Sequence, residues 1–449
     1  MKVLIHKNYN DFRKMSNSLM KIMMSGLLIL ISCFINAQSD FENVRLPIPK
    51  KATYFFSQVE PSICINPKKT NEMIAGSVMN DYYFSKDGGK SWKSKSIYSP
   101  WGVNGDPCMI IDTLGRYYYF HLSNVKGEAL LGGMVCQRSK KLKGKFKMKS
   151  HTLMNGKYHD KEWVALNPQN NHLYMTWTQF DAYDSDDPED FSYIVFSKSS
   201  DGGETWSAPL QIATVPGDCQ DNDETAEGAV PAIGPNGEIY VAWSRNDSIW
   251  FNYSLDDGQT WLKKEQFIAT QPLGWVIDIP GLYRCNGLPI TACDRSKSAY
   301  QGTVYVNWAD QRNGQHNTDV WLKKSKDGGK NWSDPIKVNN DDGENHQFLT
   351  WMTIDQTNGY LYFVFYDRRN HKDERRTDVY LAVSKDGGES FENIRISESP
   401  FRPNPKIFFG DYTNISVHNG VIRPIWTRLH RGEISLHTAL IEQQQLDAQ

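Results

Sequence analysis

The chain has 449 residues, 39% of them hydrophobic and 12% aromatic, with 50 Lys and Arg against 52 Asp and Glu, a formal net charge of −2. That length and apolar content suffice for one large core without a linker, and the charge balance argues against nucleic acid as partner. The seven cysteines follow no zinc-ligand spacing, which argues against a sulfur-held metal.

In chain order, Met20-Lys21 leads into an apolar run from Leu27 to Ile31 that ends at Ile35-Asn36-Ala37. This reads as a signal peptide over residues 1–37, cut near Ala37, and it is too short and wrongly flanked for a transmembrane span. Leu30-Ile31-Ser32-Cys33 leaves lipidation at Cys33 as an alternative, although the residues after it stay apolar. Residues 38–449 then form a single exported domain, periplasmic, cell-surface or secreted, read as a monomer. Without the leader, 45 basic residues face 51 acidic ones, a charge of −6. Cys285 and Cys293 could bridge a short loop, while Cys64 and Cys108 sit in apolar strands as buried thiols.

Two sentences repeat along that domain. The first is S-x-D-x-G-x-x-W, written at Ser85–Trp92, Ser199–Trp206, Ser254–Trp261 and Ser325–Trp332, and with a final Phe at Ser384–Phe391. Its parts are those of a tight turn: an Asp that accepts backbone amides, a glycine for positive φ, and an aromatic plug. The second is an apolar strand, a polar turn and an alternating strand ending in an aromatic. It starts at Ser62, Cys108, Val164, Pro231, Ile290, Met352 and Ile415. Seven hairpins at a period of about fifty residues, with almost no helical periodicity, predict radially repeated four-stranded sheets. The last unit has only three strands before the chain ends, so Val44-Arg45-Leu46-Pro47 is expected to supply its fourth.

The five boxes resemble the Asp-box, or BNR-repeat, proteins, of which the sialidases are the best-known enzymes. The resemblance implies an all-β propeller of four-stranded antiparallel blades, seven here, or six if the second unit, which lacks a box, is an insertion. It also implies that the boxes lie away from the active face. The second unit carries KKLKGKFKMK, Lys140 to Lys149, instead of a box; alternating Lys guards a sheet edge, with a glycan-binding strip as the alternative. The acidic loop with Asp184, Asp186 and Asp187 could hold calcium, but it lacks a glycine-punctuated spacing and reads as a solvated loop; no cofactor is otherwise expected.

In such a blade the loop before strand one and the loop after strand two open on the same face. Before strand one stand Glu60, Asp106, Asp160 with Glu162, Glu227, Asn286, Gln347, and Asp411 with Tyr412. After strand two stand Asp81, His121, Gln179, Arg245, Asp310 with Arg312, Asp367 with Arg368 and Arg369, and Arg428. Guanidinium groups suit bidentate capture of a carboxylate, and carboxylates suit proton transfer; the alternative is that they pin loops as ion pairs.

Sialidases use an arginine triad, a tyrosine nucleophile assisted by a glutamate, and an aspartate acid/base. Glu227 with Arg245 looks like one such pair, Arg312 like a further arginine with Arg368 or Arg369 as competitor, and Tyr412 like the nucleophile. Asp81 is the nearest counterpart of the acid/base, and Arg428, Glu162 and Asp106 complete the expected sugar contacts. The family's Phe-Arg-Ile-Pro has no counterpart at Val59-Glu60-Pro61-Ser62-Ile63, which has no arginine. The expected activity is therefore exo-glycosidic cleavage of a terminal acidic sugar. A uronic-acid polysaccharide lyase using His121 or His159, or a non-catalytic binding propeller, stays open.

Overall fold

The computed structural model describes residues 41–49, 58–124, 132–152, 156–372 and 375–448. The leader expected at 1–37, with its cut near Ala37 and Cys33, lies outside the described residues. Seven four-stranded antiparallel sheets follow one another along the chain. Blade 1 is Ser62–Ile65, Met73–Ser77, Asp81–Ser85 and Lys93–Ser96; blade 2 is Gly105–Ile111, Tyr117–Leu122, Met134–Ser139 and Lys147–His151. Blade 3 is Tyr158–Leu166, Leu173–Phe180, Ser192–Ser199 and Leu210–Gln211; blade 4 is Glu227–Ile233, Ile239–Ser244, Ser248–Ser254 and Gln266–Thr270. Blade 5 is Ile290–Cys293, Val304–Asp310, Asp319–Ser325 and Ile336–Lys337; blade 6 is Gln347–Ile354, Leu361–Asp367, Asp378–Ser384 and Glu392–Arg395. Among the described residues no helix is long and apolar enough to cross a membrane.

Blade 7 takes Asn414–His418, Val421–His430 and Glu433–Ala439 from the end of the chain and its outermost strand, Asn43–Arg45, from the beginning. Asn43 pairs with Ala439, Val44 with Thr438 and Arg45 with His437, and Leu46 N–H continues the ladder to Leu436 O at 2.9 Å. The seventh sheet is thus completed by the segment expected from the sequence, and the ring closes where blade 1 meets blade 7: Ile63 N–H donates to Asn414 at 3.2 Å and Ile65 N–H to Ser416 at 3.0 Å. Strand two of blades 2 to 7 carries a buried aromatic, with Trp177, Trp243, Trp308 and Trp426 almost fully enclosed. These rings fill the wedge that opens between blades as they radiate outward.

The Asp-boxes are inter-blade fasteners at the turn between strands three and four. In the first, Asp87 accepts the Ser85 hydroxyl at 2.8 Å, the Ser91 amide at 2.9 Å and the Ser91 hydroxyl at 2.5 Å, while Gly89 N–H donates to Ser85 Oγ at 2.9 Å. Asp201, Asp256, Asp327 and Asp386 repeat the pattern. The second glycine must stay bare, because a Cβ on Gly258 would meet Phe196 at 2.4 Å and one on Gly329 would meet Phe251 at 2.3 Å, each on the preceding blade. The box tryptophan follows it there: Trp261 lies edge-on to Phe196 and Trp332 to Phe251, both at 5.0 Å. Gly88 N–H reaches Asn71 O in the hairpin between strands one and two, so the boxes share that face and leave the other to the loops before strand one.

The bridge considered between Cys285 and Cys293 does not form; all six described cysteines are free thiols. Cys293 closes strand one of blade 5 and Cys285 precedes that strand. Eight residues, extended at about 3.3 Å each, carry them to opposite ends of the blade.

Candidate functional site

A repeated irregularity builds the site. In blades 2, 3, 4 and 6 the pairing of strand one with strand two slips by one residue near the mouth, between Gly105 and Cys108, Asp160 and Trp163, Glu227 and Val230, and Phe348 and Trp351. The bulged residues Asp106, Lys161 and Leu349 take φ of 48°, 49° and 49°, Gly228 takes 81°, and Glu60 stands at 53° just before blade 1. A left-handed backbone costs a non-glycine residue about 1–2 kcal/mol, and such bulges re-aim side chains. Here they turn charged groups onto the propeller axis. Below them Trp163 and Trp351 meet at 4.3 Å between ring centroids, and Tyr412 lies 5.1 Å from Trp163, so three rings from blades 3, 6 and 7 plug the channel.

Above that plug sits a cluster of charge. Tyr412 donates its hydroxyl to Asp106 Oδ1 at 3.2 Å, and Asp106 is near enough to Asp160 for their charges to oppose each other. Alongside them Tyr183 donates to Asp221 Oδ2 at 2.8 Å, and both carboxylate oxygens of Glu227 are buried without a hydrogen-bond partner. Lys161 stands among these carboxyl groups, its Nζ 3.9 Å from Asp160, 3.9 Å from Glu227 and 3.5 Å from Asp411. Asp411 is held from the other side by both nitrogens of an Arg284 fork, with Nε at 2.8 Å, and its backbone carbonyl accepts Asn286 at 2.9 Å. A pocket beside Lys161 is lined by Trp163, Asn286, Leu288, Trp351, Asp411 and Tyr412.

Burial controls the protonation of this cluster. It raises Asp160 to about 8 against the pull of Lys161, and raises Glu227 although Lys161 opposes it. Glu60 and Glu162 are also pushed up, by burial first and by Asp106 next. Both Glu162 oxygens are buried without a hydrogen-bond donor. Burial works against the Lys161 charge, but Glu227, Asp160 and Asp411 together hold its pKa high. Burial and then Asp106 keep Tyr412 protonated, and Asp221 stays below the usual carboxylate range because Lys161 and the bond from Tyr183 outweigh its burial. Protonated acids and ionised bases therefore stand side by side, an arrangement suited to proton transfer.

The sequence-derived residues divide. Tyr412, Asp106, Glu162 and Glu227 belong to the axial cluster, but Tyr412 bonds Asp106, and Glu227 accepts no hydrogen bond and faces Lys161 at 3.9 Å. Asp81, expected at the exit of strand two, opens strand three instead; it is buried, raised to about 7 by that burial, and its partner is the Ser96 hydroxyl at 3.4 Å. Arg245 lies on Trp250 at 4.5 Å and pairs with buried Glu265 at 3.1 Å, at the edge of a separate groove with Asp186, Asp187 and Asp190. Arg312 is clamped to Asp310 with Nε at 2.9 Å and covers Trp321; Arg369 is clamped to Asp367 at 2.7 Å and covers Tyr380. Fully buried Arg368 donates to Thr377 at 3.1 Å and to Pro280 O at 2.8 Å, and Arg428 donates to Ser399 O at 2.6 Å. None of the five makes a described contact with Tyr412.

In the acidic loop, Asp187 accepts the Glu189 amide at 3.0 Å, and Asp184 sits at φ 59°. Among the described residues no group of three or more carboxylate, His or Cys side chains is arranged to hold a metal ion. His121 and His159 face inward, toward Gln137 and Trp177, and burial lowers both to about 4.

Lys161, Arg284, Asp221 and Tyr183 escaped the sequence reading. Stacking the lead-ins Gly105-Asp106-Pro107-Cys108, Asp160-Lys161-Glu162-Trp163 and Glu227-Gly228-Ala229-Val230 exposes one register, in which Gly228 marks the left-handed place that Asp106 and Lys161 also occupy. Arg284 had a weaker signal, its place in the long connection from Thr270 to Ile290.

No protein-family model matches the sequence, and no curated protein matches it. Solved structures do resemble the fold. An ulvan lyase of a polysaccharide lyase family, bound to a glucuronate–sulfated rhamnose oligosaccharide, superposes with a TM-score of 0.52 at 13% identity over 87% of this chain and 96% of that one. A Hadza microbial sialidase gives 0.46 at 13% over 82% and 73%, and a Penicillium chrysogenum α-L-arabinanase 0.48 at 12% over 75% and 93%. At these identities the likeness is one of fold.

Proposed function

We propose that the chain is an exported glycan-active propeller, a glycosidase that takes the end of a glycan into the axial mouth with Tyr412 as nucleophile and Asp106 as its base. The observation that carries this reading is the hydrogen bond from Tyr412 to Asp106 at 3.2 Å above the aromatic plug, beside Asp160, whose carboxyl burial raises to about 8. As the phenolic oxygen attacks the anomeric carbon, Asp106 takes its proton; the glycosidic bond breaks and the departing oxygen takes a proton from Asp160. Water then attacks the sugar carbon and returns a proton to Asp160, while Tyr412 leaves and recovers its own from Asp106. A tyrosine, neutral before attack, suits an anomeric carbon that carries a carboxylate. Lys161 and Arg284 are the cations available to such a group, so sialosides head the substrate panel.

The test is a panel of fluorogenic sialosides, uronides and neutral glycosides, beside an assay for the unsaturated product of a lyase. Tyr412→Phe should lose turnover by about a thousandfold or more while still binding the substrate that the parent cleaves. Full turnover by that variant would sink the mechanism, and an unsaturated product would transfer the mouth to elimination chemistry.

A further inference from the structure

Beside the mouth, on the segment between blades 4 and 5, lies a second concavity of about 300 Å³ lined by Tyr283, Arg284, Lys406 and Phe408. Its size suits one sugar ring. Tyr283 is 61% exposed although it is a large aromatic, and its ring stands edge-on to Phe408 at 6.2 Å. An aromatic left in water on a rigid neighbour offers a face for the C–H side of a pyranose. Arg284 lies over the Phe408 ring at 4.8 Å, and its Nε and one terminal nitrogen are fixed on Asp411. Its side chain is still 46% exposed, so the fork is held in place by Asp411 while part of the side chain stays open to solvent. Lys406 adds a second cation, and among the described residues no carboxylate lines the concavity.

The segment is braced, since Arg368 beneath it donates to Pro280 O, and Asn286 ties its far end to Asp411 O. Arg284 therefore belongs to both places: one edge holds Asp411 in the axial cluster and the other faces the concavity. The geometry points to a subsite for the adjoining unit of the glycan, one that stacks a sugar on Tyr283 and grips its sulfate or carboxylate with Arg284 and Lys406. This deepens the glycosidase reading and rests on it for the placement of the cleaved unit. The substrate class it names is an acidic glycan whose charge sits next to the scissile bond as well as, or instead of, on the terminal sugar.

Binding is measured by calorimetry with Tyr412→Phe as background, and turnover separately in the parent. The probes are oligogalacturonate for carboxylate, a sulfated galactan oligosaccharide for sulfate, and a neutral xylo-oligosaccharide of equal length. One acidic probe should bind more tightly than the neutral one, more weakly as salt rises, and Tyr283→Ala or Lys406→Ala added to the background should weaken it by roughly tenfold, with Lys406→Ala leaving the neutral probe unchanged. Both residues are on the surface, and thermal melts check that the variants are folded. Equal binding of the acidic probe by all three proteins, equal binding of neutral and acidic probes, or no acidic binding would each overturn the subsite. Binding that depends on Tyr283 with no turnover by the parent would leave the subsite standing and remove the glycosidase reading instead.

Discussion

Two rings of charged residues open on the same face of this propeller, and they are built on opposite principles. In the outer ring, at the ends of the second strands, three arginines are each neutralised by a carboxylate. Arg312 takes Asp310 two residues earlier, Arg369 takes Asp367 two residues earlier, Arg245 takes Glu265, and Arg245, Arg312 and Arg369 each lie over an aromatic ring. The inner ring, before the first strands, is left unresolved: Glu60, Asp106, Asp160, Glu162, Glu227 and Asp411 surround Lys161 and Arg284, and burial raises several of the carboxyl groups. A structural ion pair ends with its donors used. The inner ring ends with buried oxygens on Glu162 that accept no hydrogen bond, which is the condition of a place prepared for something else.

The largest difference should appear when one cation is removed from each ring. Lys161→Met leaves Asp160, Glu227 and Asp411 buried around an uncharged side chain and should cost about 3–5 kcal/mol in urea unfolding. Arg312→Met exposes one edge of Asp310, which still accepts Trp308 Nε1 at 2.7 Å, and should cost about 1–2 kcal/mol. Equal losses would mean that the two rings are energetically alike and that the contrast drawn from their geometry is empty.

What could be read from the sequence follows the same division. The hairpin period, the boxes and Val44-Arg45-Leu46-Pro47 gave seven blades and their closure, because turn chemistry and strand alternation are local and repeat. Sorting residues by loop also placed Glu60, Asp106, Asp160, Glu227, Asp411 and Tyr412 on one mouth. Their partners were not legible, since a bulge that turns Lys161 inward at φ 49° has no glycine to announce it. Nor does a sequence state that Arg312 will spend its fork on Asp310, although the two-residue spacing in Asp310-Gln311-Arg312 and Asp367-Arg368-Arg369 was there to be weighed. Arg284 reaches Asp411 across 127 positions, a separation that no local pattern reports.

The pH dependence of stability separates the rings by a smaller margin. Burial raises Asp160 from the ordinary 3.8 to about 8, and Asp367 only to about 6 because Arg369 opposes it. A carboxyl group that keeps its proton longer in the folded state contributes its stability in full below the unfolded pKa and loses it as pH rises through the folded one. Stability should therefore fall from pH 4 toward 6 through both residues and through Asp81, which burial raises to about 7, and from 6 to 8 through Asp160 with Asp81 contributing as far as about 7. Asp160→Asn should flatten the upper window by on the order of 1–2 kcal/mol in denaturant midpoints read at pH 6 and 8, whereas Asp367→Asn should alter only the lower one. An upper slope that survives the double change Asp160→Asn and Asp81→Asn would move that proton to Glu60 or Glu227.

The smallest effect is expected from the residue that sequence pattern alone had placed at the centre of ligand capture. Arg245 donates to the Val215 carbonyl and to Glu265, and lies on Trp250, so its planar fork is committed to the protein. Arg245→Lys keeps the charge but gives up the fork and the stacking, which should cost the fold about 1–2 kcal/mol. Affinity for whichever glycan the parent binds should change by less than about twofold, under roughly 0.5 kcal/mol, because no donor facing the axis is altered. Calorimetry on the folded variant measures this, with Arg284→Lys as the counterpart: there the lost fork is the one that holds Asp411 and faces the ligand, and affinity should fall by about tenfold or more. A tenfold loss for Arg245→Lys would bring the outer ring into the site. The separation of the two rings would then describe only the empty protein, with the arginine released from Glu265 when the glycan arrives.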